Sequence, residues 1–102
     1  GPGGGTNPEQ LFAAGYGACF HGALNLVAAK YGIEVRGSRV EVAVVLGRDP
    51  VDGRYALIAD VTVHLPGLAL RLAEELVRTT ERICPYAKMV RDGVEGSVRV
   101  VV

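Results

Sequence analysis

With 102 residues, 49% of them hydrophobic, the sequence has the size and composition of one globular domain whose core alone is thin for its surface, so self-association is expected. Eleven basic residues balance eleven acidic ones with no run of either sign, which excludes the electrostatic footprint that nucleic acid or an anionic membrane demands. Two cysteines, with no charged n-region and no cleavable apolar leader, do not make a secreted disulfide framework; they fit paired catalytic thiols in a reducing cytoplasm.

After the glycine-rich opening, Thr6-Asn7-Pro8-Glu9 predicts a helix start with Asn7 as N-cap and Pro8 at the first helical position. A capping box of Thr6 with Glu9 gives the same start within one residue. The helix is expected to run to about Lys30, where Tyr31-Gly32 stops it. Along it Phe12, Tyr16, Cys19, Ala23 and Leu26 recur at alternating spacings of four and three and share a face, while Ala14, Ala18 and Gly22 form a stripe of small residues that admits close approach by another element. The apolar run from Leu11 to Ala29 is long enough to raise a membrane span. It is rich in Gly and Ala, lacks matched terminal anchors and is followed by strands with charged alternate positions, so it reads as the central helix of a globular core.

Alternation of Val40, Val42, Val44 and Leu46 predicts a strand from Ser38 to Gly47, and Leu57, Ala59, Val61, Val63 and Leu65 predict another from Tyr55 to Leu65. The turn chemistry of Asp49-Pro50-Val51-Asp52-Gly53 joins them as an antiparallel hairpin. Beyond Pro66-Gly67, Leu68, Leu72, Leu76 and Ile83 stand against Arg71, Glu74, Glu75, Arg78, Glu81 and Arg82, the pattern of an amphipathic helix that Pro85 ends at Cys84. A short irregular or helical piece through Met89 leads to an expected last strand from Ser97 to Val102. The fold class is α+β, a single domain over residues 1–102 in which a second helix and a long apolar central helix pack on antiparallel sheet. This inventory leaves the central helix short of cover, which another segment or another chain must supply.

The chemistry rests on Cys19 and Cys84, the residues able to carry covalent redox steps. Cys19 lies three turns into the helix, too far from its start for the terminal amides to stabilise a thiolate, so reactivity there requires a nearby cation. Cys84 stands at a helix end, where a sulfur can present itself to a partner. Glu9, ten residues before Cys19 on the same helix, complements the helix dipole or holds an arginine for the site. Phe12 and Tyr16 share the face of Cys19 and are candidates to line an apolar substrate pocket, whereas Tyr86 reads as core. His21 follows Cys19 by two positions and points elsewhere on a helix. With His64 the only other histidine, no metal site is expected.

Gly5-Thr6-Asn7-Pro8-Glu9-Gln10-Leu11-Phe12-Ala13-Ala14-Gly15-Tyr16, then Ala18-Cys19-Phe20, Leu65-Pro66-Gly67-Leu68 and Ile83-Cys84-Pro85-Tyr86, resemble the organic hydroperoxide resistance (Ohr) branch of the OsmC/Ohr family over nearly the whole chain. The resemblance implies an intertwined homodimer with its sites at the subunit interface, and a thiol peroxidase for organic and fatty-acid hydroperoxides. Cys19 would be the peroxidatic and Cys84 the resolving cysteine. A dihydrolipoyl group on a lipoylated protein would reduce the resulting disulfide, with no bound cofactor. Family members also carry an N-terminal segment of strands that supplies an arginine to the carboxylate matching Glu9, and this chain starts after it. Arg36, Arg39, Arg48 and Arg54 do not occupy the matching motif. Glu81 and Ala87 stand where histidine and serine are usual. The alternative that the residues leave open is a weakly catalytic member that binds or senses an apolar ligand.

Overall fold

A computed structural model describes residues 7–102, in the order α1 (Pro8–Lys30), β1 (Arg39–Arg48), β2 (Tyr55–His64), α2 (Leu70–Ile83) and α3 (Pro85–Asp92). Asn7 is extended and caps α1: its side chain accepts from the Gln10 amide at 2.8 Å, and the Gln10 side chain accepts from the Asn7 amide at 3.2 Å. The capping box present is Asn7 with Gln10, the residue three positions on; the alternative of Thr6 with Glu9 lies outside the described residues. At the other end the Tyr31 amide reaches back to the Val27 carbonyl, and Gly32 takes φ 68°, a left-handed stop that a side chain would resist.

α1 is the central element and contacts β1, α2 and α3. Its length and hydropathy match a membrane-spanning helix, yet Tyr16, Phe20, Leu24, Val27 and Ala28 are buried against the rest of the chain. Phe12, Tyr16, Cys19 and Ala23 pack around one core cluster as their spacing suggests, but Leu26 is 68% exposed. A strict four-and-three spacing drifts by about 20° per heptad on a 3.6-residue helix. Over the two heptads from Phe12, that drift carries Leu26 off the buried face while Leu24 and Val27 stay on it. The stripe of Ala14, Ala18 and Gly22 is exposed, and a Cβ on Gly22 would meet nothing within 4 Å among the described residues.

The hairpin pairs antiparallel from Arg39 opposite His64 to Arg48 opposite Tyr55. Asp49 and Asp52 carboxylates accept from the amides of Val51 and Arg54, and Gly53 at φ 71° completes the turn. Val40, Val42, Val61 and Val63 face the core, and a Cβ on Gly17 would lie 3.5 Å from Val42, so the helix backbone runs close over the strand. The far half of the hairpin extends past α1, leaving Leu46, Leu57 and Tyr55 more than half exposed.

On α2, Leu76 is buried and Leu68 before it packs on the same cluster, but Leu72 and Ile83 are exposed. The buried face instead continues through Thr80, whose hydroxyl donates to the Leu76 carbonyl at 2.8 Å and so enters the core with its polar group satisfied. The expected strand over residues 97–102 is not formed. Those residues are exposed and carry no regular secondary structure, and the sheet has two strands among the described residues. An alternating valine pattern supplies one face of a strand but not the edge it must pair with, and the tail meets no such edge among the described residues.

Candidate functional site

The two cysteines meet. Cys84 Sγ lies 3.4 Å from Cys19 Sγ, both thiols are free, and they belong to residues 65 positions apart. A disulfide bond is near 2.05 Å, so roughly 1.4 Å of approach would close one. α1 places Cys19, which is partly exposed, beside the core cluster of Tyr16, Phe20, Cys84 and Ala87. Cys84 is delivered by a helix junction. Its amide donates to the Thr80 carbonyl as the last bond of α2, its backbone then turns extended at φ −69° and ψ 117°, and Pro85 starts α3. Proline requires that turn of the residue before it, and the turn aims the sulfur inward.

Cys84 is fully buried, and burial pushes its thiol up from the ordinary range. The amides of Ala87 and Tyr86 at the start of α3 oppose that effect without closing a capping hydrogen bond, and the Cys19 contact adds to it. The Tyr16 hydroxyl is likewise raised, by burial first and then by Cys84 and Glu81, with Arg91 opposing.

Four rings cluster on this side of α1, with Phe12, Tyr16 and Phe20 packed in the same core cluster as the pair. Phe12 and Tyr16 lie 5.9 Å apart, Tyr86 stacks on Phe12 at 6.4 Å and tilts against Tyr16 at 6.3 Å, and Phe20 follows Tyr16 at 6.5 Å. A Cβ on Gly15 would sit 3.4 Å from the Tyr86 ring, so the glycine makes room for the tyrosine on α1. Tyr86 is therefore part of the site and not simply core. The signal for it in the sequence is its place immediately after Cys84-Pro85, at the start of a helix that must turn back over the first. Phe12 and Tyr16 occupy the space beside Cys19 with their own rings. The adjoining cleft of about 540 Å³, between β2 and α2, is lined by Val61, Val63, Val77 and Glu81 and does not include them.

The remaining candidates lie apart from the sulfurs. Glu9 sits in the first turn of α1, about 15 Å along the axis from Cys19, and makes no ion pair among the described residues. His21 bonds Ser38 Oγ at 2.8 Å, tying α1 to the approach to β1. His64 joins Glu41 and Arg39 on the outer face of the hairpin. Arg36 pairs with Glu34, and Arg48 donates to the Gly53 carbonyl and lies over the Tyr55 ring. No group of three His, Cys, Asp or Glu suited to a metal occurs among the described residues. What the arrangement can do chemically is thiol redox exchange in an apolar, aromatic setting.

The family described as OsmC-like protein matches residues 1–99. The chain is 41% identical over 95 residues to organic hydroperoxide resistance protein-like 2 of Staphylococcus epidermidis, covering 93% of this chain and 67% of that protein. It is 45% identical over 91 residues to the organic hydroperoxide resistance protein OhrB of Bacillus subtilis, covering 89% of this chain and 66% of that one. The crystal structure of that OhrB superposes with a TM-score of 0.82 at 44% identity, over 91% of this chain and 68% of the other. The chain thus spans about two thirds of the length of the relatives it matches. On its sequence and its fold, the chain belongs to the OsmC/Ohr family, in the organic hydroperoxide resistance branch.

Proposed function

We propose that the chain is a thiol-dependent peroxidase that reduces organic hydroperoxides, fatty-acid hydroperoxides included, to alcohols. The observation that carries this reading is the 3.4 Å separation of two free sulfurs beneath an aromatic cluster. The Cys19 thiolate attacks the terminal oxygen of the hydroperoxide, the O–O bond breaks, and the departing alkoxide takes a proton from water to become the alcohol. Cys19 is left as a sulfenic acid. The Cys84 sulfur then displaces the hydroxyl from Cys19. The S–O bond breaks, an S–S bond forms, and the hydroxide leaves with the Cys84 proton as water. An external dithiol, a dihydrolipoyl group on a lipoylated protein, returns the disulfide to two thiols and is itself oxidised. Phe12 and Tyr16 favour an organic over an inorganic peroxide, since their rings offer apolar contact beside Cys19. Glu9, in the first turn of α1, is the carboxylate that would hold an arginine for the site.

A cytoplasmic homodimer is part of the same proposal. The exposed stripe of Ala14, Ala18 and Gly22 on an otherwise apolar helix fits a second copy, which would supply the cover that α1 lacks. Mixing the reduced protein with cumene hydroperoxide and counting free thiols tests the chemistry. Loss of both thiols with formation of one intramolecular disulfide supports it; retention of both under excess peroxide overturns it.

A further inference from the structure

We propose that Cys84 acts before it resolves anything: its S–H donates a hydrogen bond to the Cys19 sulfur and so holds Cys19 as the thiolate. The idea rests on the peroxidase reading above and gives Cys84 a second, positioning role in the same site.

Three observations carry it. The sulfurs are 3.4 Å apart, within hydrogen-bond range for sulfur. The two thiols differ in surroundings: Cys84 is fully buried among Tyr16, Phe20 and Ala87, whereas Cys19 is partly exposed and open to reagent. A buried thiol keeps its proton, because the charged form loses hydration, and at Cys84 that loss outweighs the opposing amides of Ala87 and Tyr86. The proton between the two sulfurs therefore belongs to Cys84 and the negative charge to Cys19. Finally, among the described residues no lysine, arginine or histidine side chain hydrogen-bonds either sulfur; His21 is committed to Ser38. The neighbouring thiol is the donor that the site itself provides, and a hydrogen bond to an ionised acceptor is stronger than a neutral one.

The charged and titratable groups around the pair are Tyr16 on α1, Glu81 on α2 and Arg91 on α3, while the hairpin contributes Val40, Val42, Ala59, Val61 and Val63. All of these are common to the variants below, so differences between variants report position 84. The roles also succeed one another without conflict. The proton that Cys84 lends to the hydrogen bond stays on its sulfur through the first step, and it leaves with the hydroxide as water when the disulfide forms.

The test is alkylation of each cysteine by iodoacetamide as a function of pH, read by mass spectrometry of the separate peptides, on the intact chain and on Cys84→Ser and Cys84→Ala. In the intact chain Cys19 is expected to react at lower pH than Cys84. Cys84→Ala should shift the Cys19 profile to higher pH and slow its first-turnover oxidation by cumene hydroperoxide roughly tenfold. Cys84→Ser, which keeps an O–H donor but cannot resolve, should recover most of that rate. A merely resolving Cys84 predicts that both variants form the sulfenic acid at the rate of the intact chain, and that result overturns the proposal. Reaction of Cys84 ahead of Cys19 in the intact chain overturns it as well, and needs no variant to fold. Alkylation requires no peroxide, so a chain that fails to reduce hydroperoxides yet shows the shifted profile would remove the peroxidase reading and leave the hydrogen bond standing.

Discussion

At the scale of single residues, Tyr86 shows how a side chain close in sequence to one cysteine comes to pack on the helix that carries the other. Its ring stacks on Phe12 and lies over Gly15, four residues before Cys19. Tyr86→Ala should therefore raise KM for cumene hydroperoxide several-fold while changing the reaction with hydrogen peroxide little, a split read from steady-state kinetics with the two substrates. Cys84 carries a consequence for stability. Its folded-state thiol titrates above the ordinary value of 9.0, so between that value and the raised one the unfolded chain has lost a proton that the native chain still holds. Stability must then fall as pH rises through that interval, and the contribution is fully present below it. Urea midpoints of the reduced protein should drop more steeply above pH 9 than those of Cys84→Ser. Tyr16, also raised, chiefly by burial and then by Cys84, acts in the same direction at still higher pH.

At the scale of elements, the termini of α1, the hairpin and the junction at Pro85 were legible because each depends on a local rule. Asn7-Pro8 can only begin a helix, Asp49 to Gly53 can only turn, and the residue before proline leaves the helical region. Asn7→Ala should lower stability by about 1 kcal/mol, measured by thermal or urea unfolding. The buried line along α1 was only half legible, since spacing identifies a face near Phe12 but not its rotation by the time it reaches Leu26. Leu24, fully buried, holds the second cluster with Val27, Ala28 and Leu76, and Leu24→Ala should cost about 2–5 kcal/mol in the same unfolding measurement. Thr80 ran against the amphipathic pattern because a threonine can bond its own helix and pass as apolar. At the site, motif spacing named the two cysteines, while the partial exposure of Cys19, the full burial of Cys84 and the stacking of Tyr86 follow from how α3 folds back on α1, which no local pattern encodes.

At the scale of the whole molecule, the chain is larger than its length requires. Its radius of gyration is 16.4 Å, against about 13 Å for a compact domain of 100 residues. The far half of the hairpin, the Ala14, Ala18 and Gly22 stripe and residues 97–102 all lie outside the core. A strand without an edge and an apolar helix without cover are both features that one chain cannot complete, which is why the last strand was legible as a pattern and absent as a structure. The proposed dimer makes a direct prediction: Ala18→Arg, at an exposed position of α1, should leave the fold intact and reduce the mass measured by light scattering to that of one chain. The central claim, however, is that Cys19 and Cys84 form one redox unit. Peptide mass spectrometry after one equivalent of cumene hydroperoxide tests it most directly. The account predicts a single Cys19–Cys84 disulfide within one chain, reversed by dihydrolipoic acid; two cysteines still reduced, or Cys19 overoxidised with Cys84 untouched, would contradict it.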